Sequence, residues 1–517
     1  MRRLILIVLC FYSMNFVSES ARILAVFPTP SISHQVVFRP LTQELARRGH
    51  EVVVITTDPA YPKGETPGNL TEVDVHDVSY TIWSKVMSMT STGKRQDLHS
   101  QVEFSLRLFG EIFEKQIQSD EVRAIIRDKK QKFDLILVEA LIAPTLAFSH
   151  VFKAPVIQIS SFTSVRGDYE AMGAPTHPIL YPEMTNQKLY NLSIWERLSV
   201  VWKWLLIRDL YSEIEVLENE MLKRNFGPNM PELAELRNSV DMLFLNMHPI
   251  WEDNRPVPPG VVFMGSIHQN PVKELPKELK SYLEESKNGV IYVNLGTNIE
   301  TILPTDKVQT MLKVFSKMPQ NILMKWNAVE LNTSSTNIKI SKWFPQSDLL
   351  RHPKVKLFIT QGALQSTNEA ISAGVPLIGI PMFGDQWFNV EKYVKHNIGL
   401  RVDVDSITEE GFESAISTVL NDKSYRKSII RLRSIMRDEP MSGLQRAVWW
   451  TEHVLRHGGA RHLRAPAANI SWVQYLELEL VVILLALLLS VIIALLGAAY
   501  FAWVFWEYTD DQKVKTS

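Results

Sequence analysis

Residues 342–386 read KWFPQSDLLRHPKVKLFITQGALQSTNEAISAGVPLIGIPMFGDQ, and the fold is decided in this stretch. Val355 to Thr360 and Val375 to Ile380 are short continuous apolar runs, the pattern of strands buried on both faces. Between them, Thr360 to Ala363 is a strand end that turns through small residues into a helical segment. A helix start of this kind presents free backbone N–H groups and a positive dipole end, well suited to a diphosphate. Glu369 lies downstream in the same helix and can accept from ribose hydroxyls. Trp343 offers a flat face on which a base can stack, and the Gln346 amide matches an imide edge.

Outward from this segment the alternation continues. Val290 to Leu295, Ile322 to Trp326 and Ile338 to Ile340 read as further buried strands with helical segments between them, which predicts a parallel sheet covered on both faces. Upstream, Pro256, Pro258, Pro259, Pro271 and Pro276 mark a linker. Before it, Arg22 to Phe27 is a strand, and Val37, Leu41 and Leu45 fall on one face of a helix stopped by Gly49. The strand Glu51 to Thr57 completes a βαβ unit. Phe133 to Val138 and Val156 to Ser160 are two more strands with an apolar helix around Ala143 to His150, and 165–235 reads as helical. Two α/β domains joined by a linker place ligands in the cleft between them, at the carboxyl ends of strands.

Composition excludes several classes. The 517 residues carry 55 basic and 56 acidic side chains, a balance unlike that of nucleic-acid binders. The single cysteine, Cys10, leaves no basis for a disulfide framework, a structural zinc site or a cysteine nucleophile in the rest of the chain. The motifs of dinucleotide oxidoreductases, P-loop enzymes, zincins and α/β-hydrolases are absent. Asp403-Val404-Asp405 spells D-x-D, a pattern able to hold a divalent ion, although such alternation more often marks a strand edge.

The two ends point to a membrane. Arg2, Arg3, the apolar run Leu4 to Phe11, and Ser18 and Ser20 ahead of Ala21 read as a secretory signal peptide over 1–20. Leu480 to Trp506 is 27 residues without a charge, about 40 Å of helix and enough to span a bilayer. The expected placement is single-pass type I, with Ala21 to about Glu479 lumenal and 507–517 cytosolic. Lys513 and Lys515 resemble a dilysine retrieval signal to the endoplasmic reticulum. Of the sequons at Asn69, Asn191, Asn332 and Asn469, the first three are expected to carry glycans. Asn469 lies only ten residues before Glu479, too close to the membrane for the modifying machinery.

The 342–386 segment resembles the signature of the UDP-glycosyltransferase family, whose members conjugate small lipophilic molecules in detoxification. Ser33-His34, Phe133-Asp134, Asn294-Leu295-Gly296-Thr297, Arg446-Ala447-Val448, His462-Leu463-Arg464 and the C-terminal span extend the resemblance through nearly the whole chain. It implies a GT-B fold: an acceptor-binding domain over 21–255, a linker over 256–286 and a UDP-sugar domain over 287–440. C-terminal helices and a juxtamembrane segment over 441–479 follow, then the span over 480–506. Trp343 would stack on uracil, Gln346 pair with it and Glu369 bind ribose. Gln361, Gly362 and Gln365 would face the diphosphate, with Thr297 and Arg255 nearby, while Asp385 and Gln386 would hold sugar hydroxyls.

The same resemblance implies His34 as general base and Glu139 as its carboxylate partner, giving inverting transfer of a hexose to an acceptor hydroxyl. UDP-glucose is favoured over UDP-glucuronate, because Gln361 and the general character of the sequence resemble arthropod members. No metal or other cofactor is expected, the partners are donor, lipophilic acceptor and membrane, and self-association is left open. Gln361, Ala363 and Glu139 stand where the family usually has His, Gly and Asp. Two alternatives are a catalytically silent UDP-sugar binder and a metal-dependent transferase using Asp403 and Asp405.

Overall fold

Runs of branched aliphatics, too short for helices and apolar on both sides, assemble into two parallel sheets. The computed structural model describes residues 20–90, 98–269, 271–296, 303–327, 331, 335–468 and 470–516. Residues 1–19 of the expected signal peptide, Thr297, Asn332 and Asn469 therefore lie outside the described residues.

The first sheet contains β1 (Arg22–Phe27), β2 (Glu51–Thr56), β3 (Leu70–Asp74), β4 (Leu135–Glu139), β5 (Val156–Ser160), β6 (Met242–Leu245) and β7 (Val261–Phe263), in the order β3-β2-β1-β4-β5-β6-β7. The second contains β8 (Val290–Asn294), β9 (Asn321–Lys325), β10 (Ile338–Ser341), β11 (Val355–Thr360), β12 (Leu377–Gly379) and β13 (Gly399–Arg401), in the order β10-β9-β8-β11-β12-β13. Strand order reverses between β1 and β4 in one sheet and between β8 and β11 in the other. At such switch points the loops leave in opposite directions and open a crevice at the carboxyl ends. His34 follows β1 and Glu139 ends β4, whereas Gly296 follows β8 and Gln361 follows β11. These four groups thus stand at switch points.

The expected β1, β5 and β11 coincide with those observed. β3, β6, β7 and β13 were not expected. β7 also corrects the linker reading, because Val261–Phe263 falls within 256–286 and pairs in parallel with β6 at the sheet edge. An edge position tolerates the prolines just before it, which donate no ladder hydrogen bond. Lys277–Glu285 in the same stretch is a helix with Leu279 and Leu283 buried.

Within 165–235 the main element is the helix Ile194–Phe226, opened by a reciprocal cap between Ser193 and Glu196. Its buried Glu218 receives both guanidinium nitrogens of Arg166 at 2.7 Å. The helix Gly443–His457, capped by Ser442 and Gln445, returns to the first sheet and buries Ala447, Val448 and Val454 in the same cluster as Ile23, Val52 and Leu135.

The chain divides into two compact units, Met1–Arg464 and Ala465–Ser517. In the second unit, Leu478–Thr509 is long and apolar enough to cross a membrane. It contains the expected 480–506 span.

At Gly443 a Cβ would overlap the backbone carbonyl of Met264. Backbone cannot yield as a flexible side chain does, so Gly443→Ala is expected to cost about 1–3 kcal/mol. The check is a lowered thermal midpoint for the detergent-solubilised full chain, with Gly497→Ala, where nothing lies within 4 Å, as the neutral control.

Candidate active site

The candidate base, His34, lies at the first switch point. β1 delivers the chain into Pro28 to Ser31, and His34 sits in the first turn of the helix Ile32–Arg47. Glu139, at the end of β4, is fully buried, and its Oε2 accepts the Thr29 backbone N–H at 3.1 Å. Its Oε1 lies 2.8 Å from His34 Nδ1. An ionised carboxylate can only accept, so Nδ1 carries the hydrogen and Nε2 keeps its lone pair. The longer glutamate side chain therefore reaches the imidazole directly. Phe162 packs edge-on against the ring at 5.4 Å, and Ser161 Oγ lies 3.0 Å from Nδ1.

The second switch point holds the helix start. Gly362 has φ +95°, and a Cβ there would overlap the Val390 side chain, so glycine is required. Ala363 is extended at the N-cap of Leu364–Ala373 and supplies no side-chain cap. Gln361 is buried, its Oε1 accepting from Thr360 Oγ1 at 3.0 Å and its amide lying over Gly296. It packs against backbone instead of projecting from the helix start.

Trp343 is 66% exposed, an open ring face in keeping with a stacking role. The Gln346 side chain is held within its own domain. Its Nε2 donates to Glu369 Oε2 at 2.7 Å and to Ser366 Oγ at 3.0 Å, and its Oε1 accepts from Asn294 Nδ2 at 2.6 Å and Tyr292 Oη at 3.1 Å. Donors and acceptor are all engaged internally. Burial pushes the Glu369 carboxyl up to about 7, against the lowering effect of the Gln346 hydrogen bond.

Asp385 accepts from Asn389 Nδ2 at 2.7 Å. Burial raises its carboxyl above the usual range, and the nearby Asn389, Leu364 backbone and His34 oppose the rise. Asn389 also donates to the Gly362 carbonyl at 2.9 Å and accepts from Trp251 Nε1 at 2.9 Å. Gln386 departs in part from expectation, since its Oε1 accepts the Met382 and Phe383 N–H groups at 2.8 and 2.9 Å and so shapes the loop.

Two further expectations meet other surroundings. Gln365 Nε2 donates to the Ser161 carbonyl at 3.2 Å, an acceptor on the first domain. Arg255 is buried, donating to the Tyr181 carbonyl at 2.9 Å with its guanidinium 4.1 Å from the Tyr169 ring centroid. In the D-x-D stretch, Asp403 Oδ1 receives Arg401 Nε at 3.0 Å and Nη2 at 2.8 Å. An already neutralised carboxylate is a poor ion ligand.

Ser161 and Asn389 escaped the sequence reading. Asn389 stands three residues after the Asp385-Gln386 pair, one helical turn on, and that spacing is a signal for a partner of the pair. Ser161, after an apolar strand, carries no such signal.

Two parallel α/β sheets, each with a switch point at the carboxyl ends of its strands, give the GT-B class of fold. The model of the family "UDP-glucoronosyl and UDP-glucosyl transferase" matches residues 22–513, and the chain belongs to this family. An ecdysteroid UDP-glucosyltransferase of Spodoptera littoralis nuclear polyhedrosis virus is 34% identical over 95% of this chain and 98% of its own. UDP-glucosyltransferase 2 of the insect Dactylopius coccus is 33% identical over 93% of each. The Arabidopsis thaliana enzyme UGT89C1, solved with UDP-L-rhamnose, shares the fold at a TM-score of 0.57 and 14% identity, over 85% of this chain and all of its own. The protein is therefore a UDP-glycosyltransferase.

The Glu369 carboxyl at about 7 stands above its ordinary 4.5. The fold thus favours its protonated form, a contribution complete below pH 4.5 and lost as pH rises through 7. Glu369→Gln mimics that form at every pH. The variant's stability relative to the native chain is expected to grow between pH 5 and 8, by on the order of 1–3 kcal/mol. Denaturation followed at both pH values checks this, and a difference that does not change with pH contradicts it.

Proposed function

We propose that the protein transfers a hexose from a UDP-sugar, UDP-glucose in preference to UDP-glucuronate, to a hydroxyl of a small lipophilic acceptor with inversion. The observation that carries this reading is the buried Glu139 bonded to His34 Nδ1, with the first turn of Leu364–Ala373 tied to the same loop through Gln365 and Ser161. The acceptor oxygen bonds to the anomeric carbon from the face opposite UDP while the bond from that carbon to the diphosphate oxygen breaks. His34 Nε2 takes the hydroxyl proton as the new bond forms, because imidazole is far too weak a base to generate a free alkoxide. Glu139 then faces an imidazolium, which its charge stabilises. The charge released on the diphosphate meets the backbone N–H groups at Gln365 and Ser366, so no metal is required. The proton leaves Nε2 to solvent before the next turnover.

The donor preference draws on the two glucosyltransferase relatives, while the family description spans both glucosyl and glucuronosyl enzymes. His34→Ala, assayed in EDTA with each donor and a panel of phenols, is expected to lower kcat by about 10²–10⁴. UDP affinity should stay within a few-fold, and a variant that keeps most of its kcat contradicts the assignment.

We further propose single-pass type I placement in the endoplasmic reticulum, with the site lumenal and Lys513 and Lys515 in a cytosolic tail. The long apolar helix Leu478–Thr509 supports an anchor, and Asn69 and Asn191 are both exposed. Protease added to intact microsomes should remove only the tail, and glycosidase should lower the apparent mass unless Asn69, Asn191 and Asn332 are replaced together. Digestion of the bulk of the chain in intact vesicles is the contrary result.

A further inference from the structure

We propose that Ser161 is a positioning residue for the base, and that Gln365 straps it to the donor half of the enzyme. The proposal rests on His34 being the base.

Ser161 follows the last residue of β5 and is 2% exposed. It faces three elements at once. Its Oγ lies 3.0 Å from His34 Nδ1, and its carbonyl accepts Gln365 Nε2 at 3.2 Å and Asn246 Nδ2 at 3.1 Å. Asn246, just past β6, is itself fixed by accepting the Ile267 N–H at 3.2 Å. The next residue, Phe162, supports the edge of the imidazole. The position of residue 161 is therefore set from both domains, and His34 is set by it.

The Nδ1–H has one hydrogen and two oxygens before it, the Glu139 carboxylate at 2.8 Å and the Ser161 hydroxyl at 3.0 Å. Glu139 fixes the tautomer by charge. The hydroxyl oxygen is a second acceptor that narrows the ring's swing and gains strength when the ring becomes an imidazolium. The charged groups facing His34 from the surrounding elements are Glu139 on β4 and Asp385 beyond β12. Neither changes when Ser161 loses its oxygen.

Gln365 lies in the first turn of Leu364–Ala373, the helix assigned to the diphosphate. Its amide crosses to the Ser161 carbonyl, so an element that meets the donor is bonded directly to the loop that holds the base. Gln365 then serves turnover more than donor affinity.

The test uses full-length protein in microsomes, with UDP-glucose and a phenol, across pH 5 to 9. Ser161→Ala is expected to lower kcat about 3- to 10-fold, the worth of one hydrogen bond, and to move the acid limb of the kcat profile to lower pH. KM for UDP-glucose should hold, and Ser161→Thr should restore both kcat and limb. Gln365→Met, close in shape but without a donor, should lower kcat with little change in KM and move the limb the same way. The double variant should lose less than the product of the two singles. A native kcat and native acid limb in Ser161→Ala, with His34→Ala inactive, overturns the proposal and leaves the base assignment intact. If Ser161→Ala does not accumulate, Gln365→Met decides, and a raised KM with native kcat overturns the strap. Native turnover by His34→Ala would instead remove the reading beneath it.

Discussion

A carboxylate taken wholly out of water must find partners for both oxygens, and this demand at Glu139 organises the active half of the molecule. One oxygen binds the Thr29 N–H and so fixes the loop leaving β1, and the other binds His34. Removing either partner would leave a buried charge partly unpaired, an expensive state in a low dielectric. The loop, the imidazole tautomer and the junction of β1 with β4 are thus set together. The histidine is oriented by the requirement that stabilises the fold, so stability and function converge on the same hydrogen bond.

The second constraint joins the sheets. Trp251, on the short 3₁₀ turn after β6, donates to Asn389, and Asn389 holds both Asp385 and the Gly362 carbonyl. One helical turn on, the fully buried Lys392 meets Asp253 at 3.0 Å, with Lys395 on the same carboxylate. Tyr190 Oη completes the set by donating to Asp253 at 2.9 Å. Desolvation pulls the Lys392 ammonium below its usual range, while Asp253 acts against it. This is a buried ion pair whose loss would leave a cation stranded, and it locks the Gln386–Lys395 helix against the turn before the second domain begins. Asp385 is therefore held through contacts with the first domain as well as its own.

Much of this was legible before any coordinates. The apolar runs of β1, β5 and β11, the small-residue turn at Gly362 and the pairing of His34 with Glu139 were all within reach of the sequence. Each rests on local chemistry or a dense motif. What stayed hidden depended on packing. β6, β7 and β13 are three or four residues long, below the length at which periodicity separates strand from loop, and β7 lies among prolines. Gln346 and Gln386 are amides, equally able to serve a ligand or the protein's own backbone. Only the positions of Glu369, Asn294 and the Met382–Phe383 turn show which groups they meet. Ser161 could not be found because its partners lie 127 and 204 residues away.

The central claim is that a base and a leaving diphosphate act from opposite faces of one sugar carbon. The configuration of the product tests it most directly. With α-linked UDP-glucose as donor and a phenol as acceptor, the anomeric proton resonance of the isolated glycoside reports which face was attacked. The account predicts the β-glycoside alone. Recovery of the α-glycoside would mean retention, through a double displacement or a same-face attack, and would leave no place for His34 opposite the diphosphate.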